Sequence, residues 1–264
     1  MSIDKCRLCG SESLKLYYTQ GNSENYRFYK CSGCGLVNYD MSTGLNQEKY
    51  AEVYLDPDAD HVINKHQKES FDFIKKEIPE GGKYLDIGCG NAGLLLQGKK
   101  HFDEVEGLEL SGFLADEINK RHGINVHKGN FLEMEPGTIG EYDFVTLRHV
   151  LEHLPDPHRA MDGIYKLLKP GGKAMMEFPN IEGLSFKLKR ALEKSGLRKK
   201  KYNDNYVPGH VNEYSRKPFI WLCGEHGFKL LKWTTYSSSN FMNGFYSVFP
   251  ISTKARVLIE KISK

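Results

Sequence analysis

Long apolar runs are missing from this sequence. No stretch approaches the ~18 residues that a membrane-crossing helix needs, so no transmembrane segment is predicted. The N-terminus lacks the charged, then apolar, then small-residue order of a secretory leader, so no signal peptide is predicted. A large charge excess is missing too. A net charge of +3 over 264 residues is too small to argue for nucleic acid by itself. Repeats and low-complexity tracts are absent, and a hydrophobic share of 39% is enough for a core, which excludes disorder throughout. The length suits one large domain with a small appendage. Cysteine is scarce, and its six copies are not scattered as a disulfide framework would be. Four of them form two C-x-x-C pairs, which points to metal, a reducing compartment and hence the cytoplasm.

Those pairs are Cys6 with Cys9 and Cys31 with Cys34, each followed by a glycine that relieves a tight turn. Between them lie two strand-like runs, Leu14 to Tyr18 and Tyr26 to Lys30, separated by Gly21-Asn22-Ser23. Four sulfurs around one tetrahedral zinc ion, on a hairpin too small to fold without it, make a zinc ribbon over residues 1–40. A closed four-cysteine site has no open position, so the zinc is expected to be structural. The ribbon is then a folding staple or, alternatively, a surface that touches substrate or a partner.

The stretch around which the rest is organised runs from Lys83 to Gly93. Tyr84, Leu85 and Ile87 supply a short buried strand, and Gly88, Gly90 and Gly93 form G-x-G-x-x-G before Leu94, Leu95 and Leu96 open a helix. The first glycine allows a tight turn, the second a close approach to ligand, and the third the packing of helix on strand. A second apolar strand from Val105 ends in Glu109, 19 residues after Gly90, where a ribose-binding carboxylate belongs. A nucleoside-containing cofactor is expected here in preference to a merely structural turn.

Residues 40–60 are polar; Tyr50 and Tyr54 share one face of a short helix there and either cover a cofactor or pack on the main domain. Val62 to Ile78 reads as an amphipathic helix. After Glu109, Ser111 is placed to cap a helix from Leu114 to Arg121. Strands follow at Ile124 to His127, Tyr142 to Leu147 and Lys173 to Phe178. A helix from about Pro157 to Leu168 separates the last two. Ser215 is read as the cap of a helix from Pro218 to His226, Gly227 to Leu230 as the start of a strand, Met242 to Phe249 as the last strand, and Arg256 to Ile262 as a short exposed helix. Strands alternating with helices predict an α/β fold, a parallel sheet with helices on both faces. Ligands bind such sheets beyond the C-terminal strand ends, which carry Gly88 to Gly93, Glu109, Asn130 and Arg148 to His153.

These residues resemble the class I S-adenosylmethionine-dependent methyltransferases. The matching pieces are Leu85 to Gly90, Glu109, Gly129-Asn130-Phe131, His149 to Leu154 and Leu167 to Gly172, in that order. The N-terminal ribbon resembles a bacterial subgroup associated with glycan and sugar modification. The resemblance implies a Rossmann-like methyltransferase domain over 41–264 and S-adenosylmethionine as cofactor. It further implies that the backbone from Gly88 through Cys89 and Gly90 to Gly93, with Asp86 nearby, holds the methionine moiety, that Glu109 accepts both ribose hydroxyls, that Asn130 meets the adenine amine, and that Leu110, Phe131 and Arg148 complete the cofactor site. Asn130 stands where the family usually has Asp; its carbonyl oxygen still accepts from the adenine amine, without charge assistance. A sulfonium leaving group needs neither metal nor covalent intermediate, so the protein must align the acceptor and manage one proton. A nicotinamide enzyme would share the glycine turn but not the Arg148 to His153 and Lys169 to Gly172 elements.

His149, following the fourth strand end, is the first candidate base, and His210 in Pro208 to Ser215 is the second. His153 is read as structural, bracing Leu154-Pro155. Alignment of the acceptor with no side-chain base is the plainer alternative. A related quinone-modifying subgroup places metal-binding acids and a histidine here; Glu152 and His153 match it, with His149 in place of an acid, and a second metal is not favoured. Residues 184–201 carry eight Lys or Arg and one acid, with Leu184, Leu188 and Leu192 at helical spacing. This basic insertion, about 181–210, reads as a solvated helix, a lid over a phosphorylated or nucleotide-linked substrate, or an attachment to acidic membrane or RNA. The favoured function is O-methylation of a sugar, sugar nucleotide or glycan precursor. The alternatives are an RNA methyltransferase gripping RNA with ribbon and basic segment, and a non-catalytic cofactor- or partner-binding protein. No Asn-Pro-Pro-aromatic element follows the fourth strand, which argues against methylation of a base amine and makes nucleic acid an unlikely partner.

Overall fold

The structure is a computed structural model that describes residues 3–45, 65–134, 139–197, 200–236 and 253–262. The expectations for Tyr50, Tyr54 and Met242 to Phe249 lie outside the described residues.

The chain opens with β1 (Leu14–Gln20), β2 (Tyr26–Cys31) and a short β3 (Val37–Tyr39) that the sequence reading missed. The main body follows as α1 (Lys65–Glu77), β4 (Lys83–Ile87), α2 (Gly93–Gly98), β5 (Glu104–Glu109), α3 (Gly112–His122), β6 (Asn125–Lys128) and β7 (Tyr142–Arg148). Next come α4 (Pro157–Leu167), β8 (Leu168–Pro179), α5 (Leu184–Lys194), β9 (Asn212–Glu213), α6 (Arg216–Glu225), β10 (Phe228–Tyr236) and β11 (Lys254–Lys261).

Seven strands form the main sheet in the order β10-β11-β8-β7-β4-β5-β6. Strands β4 to β8 are parallel, and β11 runs antiparallel between β8 and β10. Strand β4 has β5 on one side and β7 on the other, so the direction of winding reverses there. A crevice opens beyond the C-terminal ends of strands at such a switch point, and the glycine turn follows β4 directly. The buried core includes Leu85, Ile87, Val145, Leu147, Ala174, Met176, Val257 and Ile259, drawn from four central strands.

Three local expectations are corrected. Arg256 to Ile262 is not an exposed helix: β11 is a central strand in which Ala255 to Ile259 are all buried, paired with Met176 and its neighbours. A short apolar run rich in Val, Leu and Ile carries no periodicity that separates strand from helix, and burial on both faces decides for strand. Helix α4 ends as expected, but β8 begins at once at Leu168 rather than at Lys173, pairing with Tyr142. Ser215 sits at the N-cap of α6 without a side-chain cap bond, and the helix starts at Arg216. Ser111 does cap α3, accepting from Leu114 N at 3.4 Å.

The small sheet is β1-β2-β3-β9, so its fourth strand comes from the far half of the chain. Val37 pairs with Glu213 and Asn38 with Asn212. Arg7, inside the first cysteine pair, donates to Val211 O at 2.9 Å and also to the Tyr39 carbonyl. His158 Nε2 bonds Leu8 O at 2.7 Å, and Lys217 donates to Gly33 O at 3.0 Å. The ribbon is thereby seated on the main body.

Candidate functional site

The turn after β4 is shaped by close contacts. Gly88 and Gly90 adopt φ +71° and +53°, the region that favours glycine. A Cβ on Gly88 would lie 2.5 Å from Val150 Cγ2, whereas one on Gly90 would project into open space. The third glycine serves a neighbour other than the expected strand: a Cβ on Gly93 would strike the Gln67 side chain of α1 at 2.3 Å. Asn91 caps the turn, its Oδ1 accepting from Gln67 Nε2 at 2.6 Å and Gly93 N at 3.3 Å.

Above this turn is a cavity of about 290 Å³, within reach of a small cofactor site. Gly88, Gly90, Glu109, Leu110, Asn130, Phe131 and Arg148 line it, together with His149. Leu114, Val150, His153 and Pro155 also line it and were not singled out as cofactor contacts. Asp86 and Cys89 do not line it. Asp86 is buried beneath the turn, accepting from Thr146 Oγ1 at 2.5 Å, and Cys89 faces Gly107 in the core. Burial pushes the Asp86 carboxyl up to about 7, with the Thr146 hydroxyl and Arg148 opposing.

Glu109 is held from both sides. Its Oε2 accepts from Gly90 N at 2.9 Å and its Oε1 from Ser111 N at 3.0 Å. Each carboxylate oxygen keeps lone-pair capacity, so Glu109 both locks the glycine turn to β5 and presents acceptors to the cavity. Asn130 Oδ1 accepts from Leu132 N at 3.1 Å, and its amide donates to Glu133 at 3.0 Å. One carbonyl lone pair remains for a ligand.

Arg148 is fixed from the neighbouring strand. Its Nε donates to Glu177 Oε2 at 2.9 Å, and Tyr236 donates to the same oxygen at 2.8 Å. Glu177 Oε1 accepts from Ser70 at 2.7 Å and Arg256 at 2.5 Å. Burial alone would raise the Glu177 pKa; Arg256, Arg148 and Ser70 outweigh it and hold the carboxyl below its ordinary range. Sequence reading missed this network. Its signals were an acid inside the apolar run Met175-Met176-Glu177-Phe178 and an arginine before Val257-Leu258-Ile259.

The other end of the cavity is built by residues 148–155. His149 has φ +56°, an uncommon conformation for this residue, and its amide bonds Glu177 O at 2.8 Å. Its Nδ1 lies 3.1 Å from Glu152 Oε1. Glu152 is only 1% exposed; burial works to raise its pKa, but the His149 hydrogen bond and the nearby His153 and His210 keep it lowered. An ionised carboxylate can only accept, so His149 donates to it from Nδ1, with Nε2 as the second ring nitrogen. Neither that Nε2 nor Glu152 Oε2 has a hydrogen-bond partner among the described residues, although both are buried.

His153 bonds Gly209 O through Nδ1 at 2.9 Å, and Asn212 donates to Leu154 O at 2.7 Å. His210 stands edge-on to the His153 ring at 4.8 Å and is absent from the cavity lining. Burial pushes His210 down to about 4, against the opposing charge of Glu152. Glu152, His153 and His210 bring ligand atoms within 4.8 Å of one another and could hold a cation.

The four ribbon cysteines converge within the same limit. Cys6 Sγ lies 3.5 Å from Cys34 Sγ, and Cys9 Sγ 3.5 Å from Cys31 Sγ. These spacings exceed a disulfide bond and approach those of thiolates around one tetrahedral ion. Asn38 Nδ2 donates to Cys6 Sγ and Leu36 N to Cys34 Sγ, both at 3.5 Å, as partners of thiolate ligands do.

Comparison with known proteins places this geometry. A family model described as "Methyltransferase domain" matches residues 60–232. The chain is 34% identical over 120 residues to a ubiquinone biosynthesis O-methyltransferase of Coxiella burnetii, covering 43% of this chain and 49% of that one. It is 32% identical over 112 residues to the protein of the same name from Escherichia fergusonii, covering 40% and 46%. The chain thus spans about half the length of the curated relatives it matches. Among solved structures it is similar to an S-adenosylmethionine-dependent methyltransferase of Methanosarcina mazei, with TM-score 0.54, 17% identity, and coverage of 73% of this chain and 98% of that one. It is also similar to magnesium protoporphyrin IX methyltransferase from Synechocystis, solved with bound S-adenosylhomocysteine, with TM-score 0.52, 15% identity, and coverage of 74% and 83%. At these identities the structural likeness concerns the fold.

Proposed function

The chain belongs to the methyltransferase domain family, and from that premise we propose that it transfers the methyl group of S-adenosylmethionine to a hydroxyl oxygen of a small molecule. The carrying observation is the His149–Glu152 pair, whose Nε2 lacks a partner beside a cavity that begins at the glycine turn and Glu109. Gly88 and Gly90 would hold the methionine part through backbone, Glu109 and Leu110 the ribose, and Asn130 and Phe131 the adenine. Arg148 shapes the adjoining wall, while Asp86 and Cys89 act from beneath the turn. The open space above Gly90 and the acceptors of Glu109 fit that cofactor. When bound, S-adenosylmethionine supplies an electrophilic methyl group on a positively charged sulfur.

The chain's own contribution is alignment and proton management. His149 Nε2 accepts the hydroxyl proton as the new oxygen–carbon bond forms, and the buried Glu152 carboxylate stabilises the resulting imidazolium. His210, the second candidate base, is too weak a base to hold a proton near neutrality, so it shapes the acceptor wall behind His153. Oxygen as acceptor atom is supported by the activity in the names of the matching relatives. For the acceptor we favour a sugar, sugar nucleotide or glycan precursor, supported by the imidazole and carboxylate groups at this end. The four cysteines would hold a structural Zn²⁺.

The test pairs wild type with His149→Ala in a coupled assay of S-adenosylhomocysteine release over sugars, nucleotide sugars, phenols and amines. A hydroxyl acceptor should be turned over. The variant should keep cofactor affinity within a few-fold and lose roughly 10²-fold in turnover. Turnover of amines alone sinks the oxygen assignment. Turnover within a few-fold of wild type in a folded His149→Ala variant removes the base role from His149.

A further inference from the structure

Helix α5 is built inside out. Leu184, Leu188 and Ala191 lie at i, i+4 and i+7, one face of a helix, and all three are exposed. Leu184 is 53% and Leu188 57% exposed, and Leu197 just beyond the helix is 80% exposed. The opposite side is the docked one. Arg190 lies 4.2 Å over the Tyr18 ring of the ribbon, and Phe186 meets the same ring edge-on at 6.1 Å. Arg190 also pairs with Glu193, the single acid of residues 184–201, at 3.0 Å. The helix is therefore held by its aromatic and charged side while Leu184 and Leu188 face water, with Leu192 part-buried.

One flank of that leucine stripe is basic. Lys187 and Lys194 border it there, Lys189 lies further round the helix, and all three are exposed. Lys200 and Lys201 continue the exposed charge beyond the helix. An apolar stripe facing out beside a row of lysines is an arrangement that lies flat in a bilayer interface, leucines in the acyl boundary and lysines at the headgroups. A grip on nucleic acid would use the cations and have no need of the leucines. A lid would turn its apolar face inward, and this one does not. No helix among the described residues is long and apolar enough to cross a membrane, so contact would be at the surface.

We propose that α5 docks the protein on a bilayer surface bearing anionic headgroups. The leucines give depth and the lysines give selectivity for negative charge. The proposal is independent of which acceptor is methylated. It is tested with the purified full chain by flotation with phosphatidylcholine vesicles, with and without phosphatidylglycerol at about a third of the lipid. Binding is expected to the anionic vesicles and to fall as salt rises. Leu184→Ser/Leu188→Ser should weaken it by roughly tenfold or more. Lys187→Glu/Lys194→Glu should remove the preference for anionic lipid. Both variants should keep wild-type affinity for S-adenosylhomocysteine, which shows that they are folded. The proposal is overturned if wild type fails to float with anionic vesicles, or binds neutral vesicles equally well. It is also overturned if the leucine variant floats like wild type. Binding to a mixed-sequence RNA that is stronger than to anionic vesicles, and indifferent to the leucine substitutions, overturns it in favour of a nucleic-acid surface.

Discussion

Asp86 and Glu109 are buried acids at neighbouring strand ends, and the chain uses them differently. Among the described residues Asp86 has one hydroxyl partner and no cation bonded to it, so burial wins and its carboxyl rises to about 7. Its contribution to stability is full below the unfolded carboxylate pKa of ~4 and is lost as pH rises toward about 7. Asp86→Asn keeps an oxygen for Thr146 and removes that loss. The variant should match wild type near pH 4 and exceed it by about 1–3 kcal/mol at pH 8, read from urea unfolding. A difference that does not change with pH contradicts the assignment. Glu109 instead has two backbone donors and a face on the cavity. Glu109→Ala should weaken binding of S-adenosylhomocysteine roughly tenfold or more, with Glu109→Gln intermediate because its amide keeps one acceptor. Calorimetry showing unchanged affinity in a folded Ala variant rules out the ribose role.

At the scale of elements, the sheet is joined to the site through Glu177. This residue of β8 receives Arg148 from β7, Arg256 from β11, Tyr236 from β10 and Ser70 from α1. Removing one partner of such a buried set leaves the others uncompensated. Glu177→Gln should cost about 3–5 kcal/mol by denaturant unfolding. Glu177 has a lowered folded pKa, so its stabilisation is present above the unfolded carboxylate pKa of ~4.3 and is lost as pH falls through the folded value. The Gln variant should lack that acid limb. Equal stability of the two proteins at pH 7 shows that the network contributes nothing net. None of these partnerships was legible beforehand, because hydrogen bonds between residues far apart in sequence leave no local pattern. The strand β4, the glycine turn and the acid ending β5 were legible, because alternation, turn chemistry and spacing are local.

For the whole molecule, the small sheet takes its fourth strand, β9, from the main body, and this joins the cysteine cluster to the candidate site. Arg7 lies between two of the cysteines and holds Val211; Val211 N in turn donates to Glu152 O at 2.8 Å. Metal analysis should find one zinc per chain, and a Cys31→Ser/Cys34→Ser variant should lose it. Chelation should melt the ribbon and speed amide exchange at Val211 to Glu213, with cofactor affinity changed only a few-fold. A ribbon that loosens while 211–213 stays protected means that β9 holds without it.

The sequence by itself determined the parallel α/β body, the cysteine quartet and the glycine turn with the acid that ends β5, since each rests on local pattern and spacing. Tertiary structure alone decided three other matters. Arg256 belongs to a central strand, because a short apolar run takes its identity from what packs on both faces. His210 stands behind His153 with its basicity suppressed, because burial and neighbouring charge depend on the whole surroundings of the ring. Leu184 and Leu188 of α5 point outward, because helical spacing defines a face and only docking decides which way that face is turned.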